Sequence, residues 1–410
     1  MKRLLAVSWD MPPLSGPRAV QVSRTLKHLV ALGWESSVVC FGPQSNRYNQ
    51  DPELASSLAA PSGVTLVRVR SLEERLVFRT AWRVIPPLKL LPDEKWVWIR
   101  AATLAGRRLA AEQRFDALAS FAQPWSDHLI GRRLHRATGL PWIAHFSDPW
   151  TDSPLLHGRL WQRRIWARME SDVVREADAL VFVNTQTRDR MMQKYPADWR
   201  RKTHVLPHGF DRDDLRARPI PRDSRLTVVY TGRFYGGFRT PDVFLRALAD
   251  VDRRRSLAGE LRVVFVGTPI PEYVRLASVL KLEPVVEFTG RRSFAESTSW
   301  AAAADVLLVI DAPADNNLFL PSKVIDYLPA GKPILALTPL RGATADLIRS
   351  LGYPVVPPDD EQAIAAAIEA LLLAQRQGRL RESPQHAAVA QQYDIRRTTA
   401  AFAEVLDRCL

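Results

Sequence analysis

Two segments in the second half of the chain combine cations, glycines and the end of an apolar run, which are the ingredients of an oxyanion site. In Thr231-Gly232-Arg233-Phe234-Tyr235-Gly236-Gly237-Phe238-Arg239, Arg233 and Arg239 offer guanidinium forks beside glycines that let a turn open toward a ligand. Two such cations suit a diphosphate, whose charge they would neutralise as it departs. A solvated loop with surface arginines is the alternative. The second segment is LPSKVIDYLPAGKP, Leu320 to Pro333. Ser322 reads as a helix N-cap, so the first amides of that helix would face a phosphate, with Lys323 adding a point charge. Asp326, one turn on, would accept a ribose hydroxyl.

The first half offers two less specific constellations. In Met11-Pro12-Pro13-Leu14-Ser15-Gly16-Pro17-Arg18, Gly16 permits close backbone approach and the helix that follows presents free N–H groups. The spacing is not GxGxxG, and a proline-stiffened turn is the plain alternative. In Ala144-His145-Phe146-Ser147-Asp148-Pro149-Trp150-Thr151-Asp152, polar groups collect where an apolar run ends. Asp148, held extended by the following proline, would point its carboxylate toward a ligand beside Ser147. His145 lies within the run and reads either as part of that polar set or as a satisfied core histidine.

Positioning these groups requires strand ends, and the sequence supplies them. Short β-branched runs alternate with longer helical patterns, the signature of parallel α/β units. In the first half strands are expected at 4–8, 37–41, 64–69, 117–121, 142–146 and 179–183, with helices at 18–32, 93–113, 126–138 and 160–176. A segment rich in Pro, Arg and Asp (207–225) lacks apolar periodicity and reads as a linker. The alternation restarts with strands at 226–231, 261–266, 285–289, 306–310, 333–337 and 355–356. Helices are expected at 240–252, 272–280, 294–303, 322–329, 343–351 and 361–375, with a last one at 395–410. The expected organisation is a domain over 1–207, a linker over 208–225, a second domain over 226–392 and a terminal segment over 393–410. Two doubly wound sheets facing each other would share one cleft at their carboxyl ends.

Charge separates the halves. Residues 1–210 carry 31 Lys+Arg and 19 Asp+Glu, net +12, whereas 211–410 carry 26 and 25, net +1. The first half is therefore expected to meet something anionic. Within it, 68–108 holds ten basic residues against four acids, with Trp82, Trp96 and Trp98 interleaved, and 158–168 (GRLWQRRIWAR) repeats that chemistry. Basic residues threaded with tryptophan suit an anionic lipid surface. Some of these aromatics are expected to pack helices onto the sheet instead. No helix-turn-helix, RRM, KH or zinc pattern supports nucleic-acid binding, and no cluster has metal-ligand spacing. Cys40 and Cys409, the only cysteines, fit a reducing compartment. With no signal-peptide pattern or membrane span, a cytoplasmic protein, peripheral at the inner face of the membrane, is expected.

The order of these motifs resembles the retaining glycosyltransferases of the GT-B fold, glycosyltransferase family 4 in particular. The Pro-Pro/Gly16 loop, Leu91-Pro92-Asp93, Ser147-Asp148-Pro149-Trp150, Val205-Leu206-Pro207-His208-Gly209-Phe210-Asp211, the Gly232-Arg233 loop, Phe288-Thr289-Gly290 and the Pro321 to Pro333 segment carry it, as does the closing Tyr393-Asp394-Ile395-Arg396. The resemblance implies two Rossmann-like domains, the terminal helix crossing back onto the first, and a nucleotide-sugar donor, UDP- or GDP-linked, held as substrate by the second. It matches Arg233 and Arg239 to a diphosphate-gripping pair, with Arg239 standing where lysine is usual, and Asp326 to a ribose-contacting acid, usually glutamate. Gly16, Gly232, Gly290, Arg291, Ser322 and Lys323 complete the implied donor set. His145, Ser147 and Asp148 fall on the acceptor side, where a lipid-linked acceptor is common, and Asp148 joins the two arginines as a catalytic candidate. The family often carries a first glutamate eight positions before the second, and here that position is Leu318. Asp311, Asp315, Asn316 and Asn317 lie nearby. Catalysis is expected without metal or cofactor. A sugar-nucleotide epimerase or a non-catalytic nucleotide-sugar binder on the same fold is the competing reading.

Overall fold

The computed structural model describes residues 1–44, 48–58, 63–72, 91–154, 156–215, 218–235 and 238–410. It divides into two compact units, residues 1–209 with 395–410, and residues 210–394.

In the first unit the apolar runs form seven parallel strands among the described residues: β1 (Lys2–Val7), β2 (Trp34–Phe41), β3 (Val64–Val69), β4 (Ala117–Ala122), β5 (Trp142–Phe146), β6 (Ala179–Phe182) and β7 (Thr203–Val205). Their order is β3-β2-β1-β4-β5-β6-β7. The central strands are apolar on both faces because helices cover both. Leu5 and Val7 of β1 join a core with Trp98, Trp125 and Trp150. Leu4 and Ala6 point the other way, into a core with Leu26, Leu29, Phe402 and Leu406. That second layer is built by helices Pro17–Val30 and Ile395–Arg408 packed on each other, so the terminal helix belongs to the first unit. Each fully buried aliphatic side chain of this kind contributes about 1.5–3 kcal/mol.

The second unit repeats the design with β8 (Leu226–Thr231), β9 (Leu261–Val266), β10 (Val286–Phe288), β11 (Val306–Ile310), β12 (Ile334–Leu337) and β13 (Val355–Val356), all parallel, in the order β10-β9-β8-β11-β12-β13. Helices Asp242–Arg254 and Glu361–Arg376 cover one face, and Phe294–Ala303, Ser322–Tyr327 and Ala343–Ser350 the other. The 208–225 segment is not a free tether. Phe210, 1% exposed, sits in the second core, and Ile220 packs against it.

In each sheet the order reverses beside one strand pair, β1/β4 and β8/β11. Open α/β sheets bind ligands in the crevice at that switch point, outside the carboxyl ends of the strands. No helix among the described residues is long and apolar enough to cross a membrane.

Candidate functional site

The loop after β8 and the loop after β11 meet at the second switch point. Phe234, buried and stacked on Tyr230 with centroids 4.5 Å apart, pins the first loop to the core. The Tyr230 hydroxyl donates to the Arg233 carbonyl at 3.2 Å, so the Arg233 backbone is fixed while its side chain is exposed, without a partner among the described residues. Gly236 and Gly237 lie outside the described residues. Past them the chain returns, Tyr235 and Arg239 exchanging backbone hydrogen bonds of 3.0 and 2.9 Å. That exchange sets Arg239 near Asp311, at the end of β11, with Nη2 to Oδ1 3.3 Å.

Asp311 is nearly fully buried. Its Oδ2 accepts from Asn317 Nδ2 at 2.9 Å and from the Thr338 hydroxyl at 2.8 Å. Its Oδ1 accepts no hydrogen bond, and neither Arg239 Nε nor Lys323 Nζ donates one. The Lys323 stem is partly exposed, but its nitrogen is enclosed, 3.6 Å from the centroid of the Tyr230 ring. A Cβ built on Gly232 would lie 3.0 Å from that nitrogen. Burial, reinforced by the charge of Arg239 and opposed by Asp311, pushes the Lys323 ammonium well below its usual range. Three enclosed polar atoms without partners in one crevice are costly. A polyanionic ligand would satisfy the two cations among them.

The neighbouring strand ends are held close. Gly232 N–H donates to the Val266 carbonyl at 2.8 Å, and Gly267 N–H to the Gly290 carbonyl at 3.1 Å. Arg291, beside Gly290, is exposed. The Tyr327 hydroxyl accepts from Thr231 N–H at 2.8 Å and fastens helix Ser322–Tyr327 to β8. Ser322 is not the N-cap of that helix. Pro321 is, with no side-chain cap bond, because its extended backbone comes one residue earlier and its ring pre-sets the turn. Ser322 is the first helical residue, and its amide remains at the open end. Asp326, one turn on, is partly exposed. Asp315 and Asn316 are exposed, whereas Asn317 is buried against Asp311.

In the first unit, helix Pro17–Val30 begins at Gly16 with Pro17 at its first position and no side-chain cap. A Cβ on Gly16 would meet nothing within 4 Å, so the protein's own packing leaves that approach open. Arg18 turns inward. Its Nη2 lies 3.1 Å from His145 Nδ1, and its Nε has no partner. His145 is buried and stacked near His208, 5.8 Å between centroids. Burial, then Arg18 and then His208 press it well below its usual pKa, so it is a neutral acceptor toward Arg18. Asp148 is partly exposed and accepts from Gln123 Nε2 at 3.2 Å. The Ser147 hydroxyl donates to the Ala122 carbonyl at 3.3 Å.

Sequence reasoning missed two acids beside this group, the partly exposed Asp10 and the fully buried Asp127. Asp10 follows β1, and burial lifts its carboxyl to about 6 despite Lys95 and Arg18. Asp127 is fully buried, accepts from Trp9 N–H at 2.8 Å and is raised well above its usual range, chiefly by burial. Asp10 stands just before the Gly16 loop at the end of β1, whereas Asp127 lies in no glycine-rich or strand-end motif, and the fold brings it to the β1/β4 switch point. The Leu91-Pro92-Asp93 motif has a structural task. Asp93 accepts from the Ser126 N–H and hydroxyl, each at 2.7 Å, and from Lys95 N–H at 2.8 Å.

Residues 18–209 match the family model of the glycosyl transferase 4-like domain, and residues 225–374 that of the glycosyl transferases group 1. The chain is a family-4-like glycosyltransferase. Solved structures share its GT-B fold over the whole length. One is the Anabaena protein HepE in complex with UDP, 17% identical, covering 100% of both chains with a TM-score of 0.68. Another is sucrose-phosphate synthase from Thermosynechococcus elongatus, 15% identical, covering 100% of this chain and 99% of that one, TM-score 0.72. A third is the Escherichia coli trehalose-6-phosphate structure bound with UDP-2-fluoro glucose, 15% identical, covering 99% of each, TM-score 0.66. No curated protein matches the glycosyltransferase.

Proposed function

We propose that this glycosyltransferase moves a sugar from a UDP- or GDP-linked donor to a lipid-linked or polysaccharide-precursor acceptor, with retention of anomeric configuration. The observation that carries the donor half is the set of cationic groups with unused donor atoms at the β8/β11 switch point. Arg239 and Lys323 converge there, Arg233 stands on the same loop, and the two UDP-containing relatives support a nucleotide sugar as the occupant. Arg233 and Arg239 would neutralise the departing diphosphate, the amides near Ser322 and Lys323 would meet its phosphates, and Asp326 would hold the ribose. Gly232, Gly290 and Arg291 would line the donor. The departing diphosphate would take the proton of the acceptor hydroxyl on the face it leaves. That scheme needs no protein nucleophile and gives retention. Because side-chain cations supply the neutralisation, the chemistry needs no cofactor or metal. On the acceptor side, Asp148 and Ser147 would contact the acceptor, with His145 beneath them in the Arg18 hydrogen bond.

A thermal-shift screen of UDP- and GDP-sugars tests the donor half. The matching donor at a hundred times its Kd should stabilise the protein by about 2.7 kcal/mol. A flat response to every sugar nucleotide would sink the reading. With the donor in hand, NMR of the product anomer tests retention.

The membrane half rests on one helix. Trp98 and Trp166 are core residues, Trp96 packs on the core, and residues 73–90, with Trp82 and four of the basic residues, lie outside the described part. Arg68, Arg70, Arg100, Arg107 and Arg108 are exposed as well, but the exposed tryptophan among arginines is at the start of helix Leu160–Glu176, where Leu160 (79%) and Trp161 (39%) stand among exposed Arg159, Arg163, Arg164 and Arg168. At roughly 1 kcal/mol per basic residue near an anionic surface, this end would hold the enzyme peripherally at the cytoplasmic face. Co-sedimentation should therefore favour phosphatidylglycerol vesicles over neutral ones and fade at high salt. Equal weak binding to both would point to a soluble acceptor.

A further inference from the structure

Asp311 is the odd member of the cation cluster, a buried carboxylate where an anionic substrate is expected to bind. Its position has three consequences. Two hydrogen bonds to Oδ2, from Asn317 and Thr338, fix the carboxylate from behind. That leaves Oδ1 as the only oxygen directed at Arg239, at 3.3 Å and without a formed hydrogen bond. The Arg239 Nε and Lys323 Nζ donors remain unused. The Tyr230 ring lies against Lys323 Nζ, 3.6 Å to its centroid, and the Tyr235 ring against Arg239, 5.9 Å away, so aromatic faces meet both cations while the carboxylate against Arg239 is that of Asp311. Asp311 therefore cancels one positive charge of the pair while leaving most of the donors available.

We propose that Asp311 is an internal counter-ion that competes with the diphosphate for Arg239, weakening the site's hold on the nucleoside diphosphate so that it can leave. The inference rests on the donor-site reading above. A diphosphate brings more charge and more acceptor oxygens than one carboxylate, so it displaces the pairing on arrival. When the sugar has gone, Asp311 recovers Arg239 and the product departs. Without Asp311, two enclosed cations would face the diphosphate uncompensated, and product would linger. Product release limits turnover in many enzymes.

Calorimetric titration of the full chain with UDP and with GDP tests the idea. In Asp311→Asn, the amide oxygen can still take the Asn317 and Thr338 hydrogen bonds. In Asp311→Ser, a hydroxyl remains for them. Either variant, with its fold checked by melting, should bind the nucleoside diphosphate about three- to tenfold more tightly than wild type, a range typical of removing one competing charge contact. kcat should fall by a similar factor, and product inhibition should deepen. The tightening should shrink when Arg239→Ala is added to either variant, because the effect runs through that arginine. Unchanged or weaker diphosphate binding in a folded variant would overturn the proposal. Weaker binding of the sugar nucleotide with unchanged diphosphate binding would make Asp311 a ligand of the sugar instead. If wild type binds neither nucleoside diphosphate, the donor-site reading itself fails, and the wild-type titration shows this before any variant is made.

Discussion

Arg233→Ala should lower turnover about a hundredfold or more while leaving the melting temperature where it was. Removing one preorganised stabiliser of a developing oxyanion costs on the order of 3 kcal/mol. Arg233 is placed to make that loss readable. Its side chain is exposed and makes no hydrogen bond or ion pair among the described residues. Its backbone is held by the Tyr230 hydroxyl, and the next residue, Phe234, anchors the loop. Alanine therefore removes a charge and nothing that holds the fold. Arg239→Ala is a poorer probe, because it strips the buried Asp311 of its counter-charge and leaves an uncompensated carboxylate, which is destabilising in its own right. A transfer assay beside a melting curve separates the cases. Near-normal turnover of a well-folded Arg233→Ala protein would remove Arg233 from the diphosphate site and leave it as a surface arginine on a solvated loop.

The contrast between these arginines shows what the sequence carried and what it did not. Both stood out by type and by their place after an apolar run, because a strand that must be buried on two faces reads as continuous Val, Leu and Tyr, and its end is easy to find. Most strands and helices were legible for that reason. β7 was not, since Thr203-His204-Val205 is short and half-buried and pairs only at the sheet edge. The pairing of Arg239 with Asp311 was not legible either. The two residues are far apart in sequence, and they meet because β11 inserts beside β8 in a crossover order that no local pattern encodes. Asp10 and Asp127 are the same case in the first unit. The tryptophans misled in the opposite direction. Interleaved with arginine, Trp98 and Trp166 look like an interfacial belt, yet both are fully buried, because an indole repays burial on a sheet more than exposure at its edge. Ser322 failed on one residue of register, since residue type favours serine as a cap while the backbone turn begins at Pro321.

Gly267→Ala should damage stability and transfer together, for a reason visible only in three dimensions. Gly267 follows β9 with φ of +151°, and a Cβ built there would lie 2.1 Å from the carbonyl oxygen of Gly232 and 3.0 Å from its carbon. Both are backbone atoms, so no rotamer change can relieve the clash. Either the end of β9 or the start of the Gly232 loop must move by about 1 Å to restore an ordinary contact. The unfavourable φ costs about 1–3 kcal/mol, and overpacking of a tight site about 1–3 more. A combined loss near 3 kcal/mol should lower the melting temperature by roughly 6–12 °C in a unit of this size. Because Gly232 N–H is bonded to Val266, the displacement passes directly to the loop that carries Arg233 and Arg239. A shift of about 1 Å in a positioning loop costs on the order of a hundredfold in rate. Gly259→Ala is the control, since a Cβ there meets nothing within 4 Å and the backbone is ordinary, so it should melt and turn over like wild type. The diagnostic arm is activity measured well below the lowered melting point, where the protein is fully folded. A Gly267→Ala protein that melts early but transfers sugar normally there would show that the β8 and β9 ends move without disturbing the arginines. Phe234 and the Tyr230 hydroxyl would then suffice to hold the loop, and the close packing of Gly232 on Gly267 would serve stability rather than the site.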